Sequence, residues 1–334
     1  MNNILSPYKI NDTLIKNRTV FAPVATVSCD RNGIISEKLL NYYEERAKDS
    51  SIGLSIIEHS YIHQLGRSKF GQISISKDED LEGLTKLANI FHKYNNKVII
   101  QITHCGFQKN IEEDKFDGYS LSPSPIYNPR SEKWSKEMSL DEIKEVIESF
   151  KNAALRAYKA GFDGIQIHGA HGYLLNQFYS PLRNKRDDQY GGCLENRIRL
   201  HLEIIKEIRS ALPKDFIISL RLGALDYQNG GSNLDDAIKA SIEFEKAGLD
   251  MLDISGGVNG YGLAHLKEKQ YGYFVDVTKE IKKHIQIPVV SAGGFRSLEG
   301  LEVLINENYL DGISFATSIL QDPHFITKEL EKLK

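Results

Sequence analysis

Cysteine is scarce. The 334-residue chain has three, Cys29, Cys105 and Cys193. They are too few and too scattered for a disulfide framework, a Cys-x-x-Cys pair or an iron–sulfur ligand set. A large excess of one charge is also missing. The net charge of −3 gives no electrostatic footprint for nucleic acid and no polybasic patch for a membrane surface. No run is long and apolar enough to span a bilayer, and Met1 to Ile10 lack the apolar core of a signal peptide. A Gly-x-Gly-x-x-Gly turn after an early strand is absent too, which argues against a Rossmann fold. These absences predict a protein of the reducing cytoplasm that works on small molecules, with no nucleic-acid or membrane partner.

What is present is alternation. Apolar runs predict strands near 19–24, 52–57, 97–103, 164–168, 216–222, 249–254, 287–291 and 311–315. Amphipathic segments predict helices near 36–49, 79–95, 139–160, 193–211, 232–247, 271–284, 296–307 and 322–333. Ser139 with Glu142 reads as a capping box at the start of the third helix. Gly161, Gly248 and Gly53 follow helical patterns, as C-terminal caps do. Eight strands alternating with eight helices predict an α/β fold, a closed parallel (β/α)8 or TIM barrel. Such barrels reach this length as one domain, here residues 1–334. Two segments interrupt the pattern. Cys105 to Met138, with Ser122-Pro-Ser-Pro125, is too long for an ordinary loop and predicts a lid or small subdomain after strand three. The glycine-rich Ser255 to Gln270 follows strand six.

Chemistry concentrates where the strand Gly164–Ile167 ends, in His168-Gly-Ala-His171-Gly-Tyr173. The C-terminal rim of such a barrel carries its reactive groups. Two histidines on one turn can grip a carbonyl oxygen and stabilise the enolate formed when hydride adds to a conjugated C=C bond. A tyrosine is a weak acid suited to protonating the neighbouring carbon. A lone rim histidine is often merely hydrogen-bonded, and a metal site would need a third ligand that the sequence does not offer. Gln101 lies in strand three and Arg221 ends strand five. A bland reading of Arg221 is an ion pair with a loop carboxylate such as Asp226. Ser255-Gly256-Gly257 and Ala292-Gly293-Gly294 could bring backbone N–H groups to a phosphate, or be plain turns.

The order His-x-x-His-x-Tyr, followed by Tyr190-Gly-Gly-Cys-Leu-Glu-Asn-Arg197, resembles the old yellow enzyme family of FMN-dependent oxidoreductases. Asn17-Arg18-Thr19-Val20-Phe21-Ala22-Pro23-Val24-Ala25-Thr26 looks like that family's first strand, and the likeness continues to Gln321-Asp322-Pro323. The resemblance implies FMN as cofactor and NAD(P)H as reductant. It implies ping-pong reduction of an enone or related electrophilic alkene, with His168 and His171 on the carbonyl and Tyr173 as proton donor. Gln101 would meet the flavin's pyrimidine edge and Arg221 its N1–C2=O edge, where reduction gathers negative charge. Pro23, Ala25, Thr26 and His59 would line the flavin. Gly257, Gly293, Gly294, Ala316 and Thr317 would surround its phosphate. With no further domain for a second flavin or an iron–sulfur cluster, direct reduction by nicotinamide is expected.

Four positions depart from the family pattern. Ala316-Thr317 replaces a Gly-Arg pair whose arginine holds the phosphate, leaving at most one hydroxyl there. Ala25 stands where a cysteine or threonine is common. His59 follows Glu58 where a small residue is usual, and Phe107 follows His104-x-Gly106 where arginine is usual. These departures keep a second reading open: a barrel of the same family with weakened or lost flavin binding and a non-redox, ligand-binding or regulatory role. A flavin barrel of the dihydroorotate or dihydrouridine type would call for a catalytic cysteine or a basic RNA-binding face, and neither is apparent. The natural substrate, NADH against NADPH, and a homo-oligomeric state stay open at this stage.

Overall fold

The computed structural model describes residues 3–109, 119–129, 132–260, 266 and 272–332. Its frame is eight strands: β1 (Thr19–Phe21), β2 (Leu54–Tyr61), β3 (Lys97–Thr103), β4 (Gly164–Gly169), β5 (Ile217–Leu225), β6 (Met251–Gly256), β7 (Val289–Ala292) and β8 (Gly312–Phe315). They pair in chain order, all parallel, and β8 closes on β1 with Ile313 opposite Thr19. The (β/α)8 barrel expected from the alternation is thus the fold. Val98, Ile99, Ile100 and Ile102 of β3 are all fully buried. A parallel strand with helices outside and packed side chains inside has no solvent face, so it reads as a continuous apolar run.

Eight helices cover the barrel: α1 (Glu37–Ala47), α2 (Leu81–Lys93), α3 (Leu140–Lys159), α4 (Arg199–Ala211), α5 (Leu234–Lys246), α6 (Val275–Lys282), α7 (Glu302–Asn306) and α8 (Phe325–Lys332). Ser139 and Glu142 form the expected capping box on α3, and Asn233 caps α5 through the N–H of Asp236. Gly161 and Gly248 take the left-handed backbone of helix ends, at φ 89° and 106°. Gly53 does not act as a cap. Helix α1 has already ended, and a Cβ on Gly53 would sit 2.5 Å from the Asn17 carbonyl oxygen.

Several boundaries shift. Strand β1 stops at Phe21, and the helix expected over 193–211 breaks at Ile198 into Leu194–Arg197 and α4. Two short helices, Leu174–Tyr179 and Thr317–Gln321, were not anticipated. Nor was an antiparallel hairpin of Tyr8–Ile10 with Thr13–Ile15. Tyr8, Ile10 and Ile15 pack with Val20, Leu54, Ile99, Ile217, Met251 and Val290, residues at or near the starts of their strands. The hairpin therefore plugs the N-terminal end of the barrel. After β3, Leu121–Ser122 pairs with Lys136–Glu137 and Tyr127–Asn128 with Lys133–Trp134, forming the expected small subdomain. Residues 110–118, 130 and 131 of that segment, and 261–265 and 267–271 after β6, lie outside the described residues, as do 333 and 334 at the end of the last expected helix. Among the described residues no helix is long and apolar enough to cross a membrane.

Candidate active site

The end opposite the hairpin opens into a cavity of about 770 Å³. His168 comes from the end of β4, and His171 and Tyr173 from the turn behind it. The turn is tight, with left-handed backbone at both His171 (φ 57°) and Gly172 (φ 72°). Such a conformation is strained for a non-glycine residue and needs outside support. The His171 N–H donates to the Gly256 carbonyl at 3.1 Å, and its Nε2 lies 2.7 Å from the Ser255 hydroxyl. The end of β6 thus holds the turn that follows β4. The ring of His168 lies 5.3 Å from that of His171 and 4.8 Å from that of Tyr173.

Burial sets the charge of this cluster. It pushes His168 well below the usual histidine range, aided by His171, His59 and Arg221. His171 is pushed the same way by burial, then by Arg221 and His59. Both imidazoles are neutral at physiological pH, so each carries one N–H. Two neutral donors suit an oxygen that gains negative charge, because neither has a proton to lose to it.

Below the rings a polar chain crosses the barrel. Gln101 donates to Gln166 at 2.7 Å, and Gln166 donates to Asp253 at 3.2 Å. Arg221 Nε lies 3.6 Å from the same carboxylate. Asp226 is not its partner. That carboxylate instead takes bonds from the Ser180 hydroxyl, Ser232 and the Val258 N–H. Burial raises the Asp253 pKa, while Arg221 opposes the rise.

Pro23, Ala25, His59, Gln101 and Arg221 line the cavity with the two histidines and Tyr173. Gly293, Gly294, Ala316 and Thr317 line it as well. Two expected residues do not. The Thr26 N–H and hydroxyl are both turned to the Glu58 carboxylate, at 2.9 and 2.7 Å. The Gly257 N–H is spent on the Leu225 carbonyl at 3.0 Å. Sequence reasoning missed Tyr273, Ser314 and Arg296, which also face the cavity. The ring of Tyr273 lies so close to Gly293 and Gly294 that a Cβ on either would approach it to 2.9 and 2.7 Å. Arg296 was legible in principle, as a cation two residues after a glycine pair. It is exposed, and among the described residues no carboxylate pairs with it.

These residues fit the flavin that the resemblance implies. His168 Nδ1 and Ser314 Oγ are buried without a hydrogen-bond partner among the described residues, and both residues face the cavity. Buried polar atoms of this kind call for a ligand. The two guanidiniums in the cavity lining, those of Arg221 and Arg296, suit a molecule that carries both a polar ring and a phosphate.

Known proteins agree. The model of the NADH:flavin oxidoreductase / NADH oxidase family matches residues 3–334. The chain is 36% identical to an NADPH dehydrogenase of Clostridium acetobutylicum, over 97% of this chain and 93% of that protein. It is 35% identical to an NADH oxidase of Thermoanaerobacter brockii over 98% of its own length, but spans only 51% of that longer protein. A structure of 2-naphthoyl-CoA reductase with 2-naphthoyl-CoA superposes at a TM-score of 0.94 and 28% identity, covering 99% of this chain and 52% of that one. The chain belongs to the NADH:flavin oxidoreductase / NADH oxidase family, as its likeness to old yellow enzymes implied, and is an NAD(P)H-dependent flavin oxidoreductase with FMN as its cofactor.

Proposed function

We propose that this enzyme reduces an alkene conjugated to a carbonyl, and that NAD(P)H and the alkene occupy the same cavity in turn. The whole chain, 1–334, acts as one domain in this reading. The observation that carries it is the convergence of His168, His171 and Tyr173 on one end of the cavity. Bound FMN supplies the hydride chemistry. The protein's part is to hold and protonate the substrate. His168 and His171 donate to its carbonyl oxygen and draw charge onto it as the alkene accepts hydride. Tyr173 gives a proton to the adjacent carbon. Gln101 and Arg221 hold the flavin's polar edge, with Pro23, Ala25 and His59 along the ring system. Gly293, Gly294 and Thr317 approach the phosphate, with Arg296 as the cation in place of the lost Gly-Arg arginine. This cation favours the redox reading over a barrel without flavin.

The test is Tyr173→Phe. Reduction of the flavin by NAD(P)H should proceed nearly as in wild type. Reoxidation by an enone should slow by roughly two to four decades, the scale of general-acid effects. Stopped-flow absorbance separates the two half-reactions. An unchanged enone half-reaction would remove Tyr173 from the chemistry.

A further inference from the structure

His59 forms one wall of the cavity. Its ring centroid lies 5.5 Å from that of Tyr173 and 6.3 Å from that of His168. Its Nδ1 faces the buried amide of Gln72. Gln72 Nε2 is 2.7 Å from His59 Nδ1 and 3.2 Å from the His59 carbonyl oxygen. The other end of that amide, Oε1, accepts from the Ser68 N–H at 2.8 Å and from the Ser68 hydroxyl at 3.0 Å. A backbone N–H only donates and a backbone carbonyl only accepts. Both ends of the Gln72 amide are fixed in this way, so Nε2 is its donor end and His59 Nδ1 must accept. A neutral imidazole has one N–H and one bare nitrogen. With Nδ1 bare and occupied, the proton sits on Nε2, on the side of the ring away from Gln72.

We propose that His59 is a fixed N–H donor in the active site, selecting electrophilic alkenes that carry a second hydrogen-bond acceptor besides the carbonyl held by His168 and His171. The inference rests on the alkene-reductase reading and narrows its substrate class to dicarbonyl-type compounds. His59 is not a proton relay for Tyr173, because neither ring nitrogen has a lone pair free to take a proton. Burial pushes its pKa down to about 4, with Lys69 adding to the shift, so the donor stays neutral. His168 and Tyr173 stand beside the ring, and Gln72 sets its tautomer through Nδ1.

Two measurements on the purified full chain test this. In protein with 15N-labelled histidine, long-range 1H–15N spectra should show His59 as the neutral Nε2–H tautomer, unchanged between about pH 5.5 and 8. Gln72→Leu should release the ring to a mixture of tautomers. A wild-type Nδ1–H tautomer, or titration near the ordinary histidine pKa, would overturn the proposal. The second measurement compares N-methylsuccinimide with N-methyl-2-pyrrolidone, five-membered rings with two carbonyls and one. Wild type should bind the imide about three- to tenfold more tightly, the range of one neutral hydrogen bond. His59→Leu should erase the preference and His59→Gln should restore part of it. No preference in wild type, or the same preference in His59→Leu, would also overturn it. Neither probe is reducible, so binding is read without turnover. An enone half-reaction unchanged in Tyr173→Phe defeats the alkene-reductase reading, whereas equal affinities for the two probes defeat only the role of His59.

Discussion

Three imidazoles share one cavity, and burial rather than charge pairing keeps them neutral. Positive charge near the reacting atoms comes instead from Arg221, whose field is shared with Asp253 at 3.6 Å. An anionic oxygen between His168 and His171 is therefore held by two N–H groups and one guanidinium beyond them. Phenols should exploit this, since a phenolate oxygen can replace the substrate carbonyl, and a long-wavelength charge-transfer band should report its stacking on oxidised flavin. Either His168→Ala or His171→Ala should weaken phenol binding by about 1.5–3 kcal/mol, the worth of a bond to a charged group. Because neither imidazole has a proton to lose near pH 6.5, the wild-type affinity should show no step there. Undiminished phenol affinity in both variants would mean that the pair does not hold the oxygen. The two histidines and Tyr173 were legible in the sequence because all three lie within six residues at one strand end. Thr26 and Gly257 were misplaced for the opposite reason. Their partners, Glu58 and Leu225, are about 32 residues away in the chain, and only the closed barrel reveals that those partners use up their hydrogen bonds.

Elements were legible to the degree that their burial pattern was long. Strands such as β3, covered on both faces, announce themselves as unbroken apolar runs. The hairpin of Tyr8–Ile10 and Thr13–Ile15 has strands of three residues, too short for any periodicity. Helix α4 was recognised by its stripe, yet the stripe contains His201 among Leu200, Ile204, Ile205 and Ile208. That ring stacks on Phe244 of α5, centroids 5.4 Å apart. Both of its nitrogens are buried without a partner among the described residues, and burial pushes its pKa down to about 3. The sign of the consequence follows. In the unfolded chain this histidine takes a proton near pH 6.5, and in the fold it does not until about 3. Its contribution is present above pH 6.5 and is lost progressively as pH falls toward 3, about 2 kcal/mol by pH 5. His201→Leu removes both the titration and the orphaned nitrogens. The variant should unfold at a higher temperature than wild type, with a wider gap at pH 5 than at pH 7.5. An equal gap at the two pH values would show that the buried ring is not held neutral.

At the scale of the whole molecule, the barrel is closed by apolar packing at one end and open at the other, and among the described residues its cavity is lined by the guanidiniums of Arg221, within β5 rather than at its end, and Arg296, in the loop after β7. The eroded Gly-Arg pair suggested from sequence alone that the phosphate end had lost its cation. The closed barrel brings the loop after β7 beside that after β8, so Arg296 and Thr317 line one cavity although 21 residues separate them. Arg296→Gln should therefore weaken FMN. A charge-assisted bond is worth about 1.5–3 kcal/mol. Arg296 is exposed, so solvent screening favours the low end, roughly tenfold in Kd. Riboflavin lacks the phosphate and should bind wild type and variant alike. Restoring the family pair by Ala316→Gly with Thr317→Arg should tighten FMN, and in that background Arg296→Gln should cost less, because a second cation shares the phosphate. Fluorescence titration of apoprotein with both flavins gives all these constants. Equal losses for FMN and riboflavin would place Arg296 away from the phosphate. If Arg296→Gln costs as much in the restored background as in the native chain, the two cations do not share the phosphate, and Arg296 acts elsewhere in the cavity.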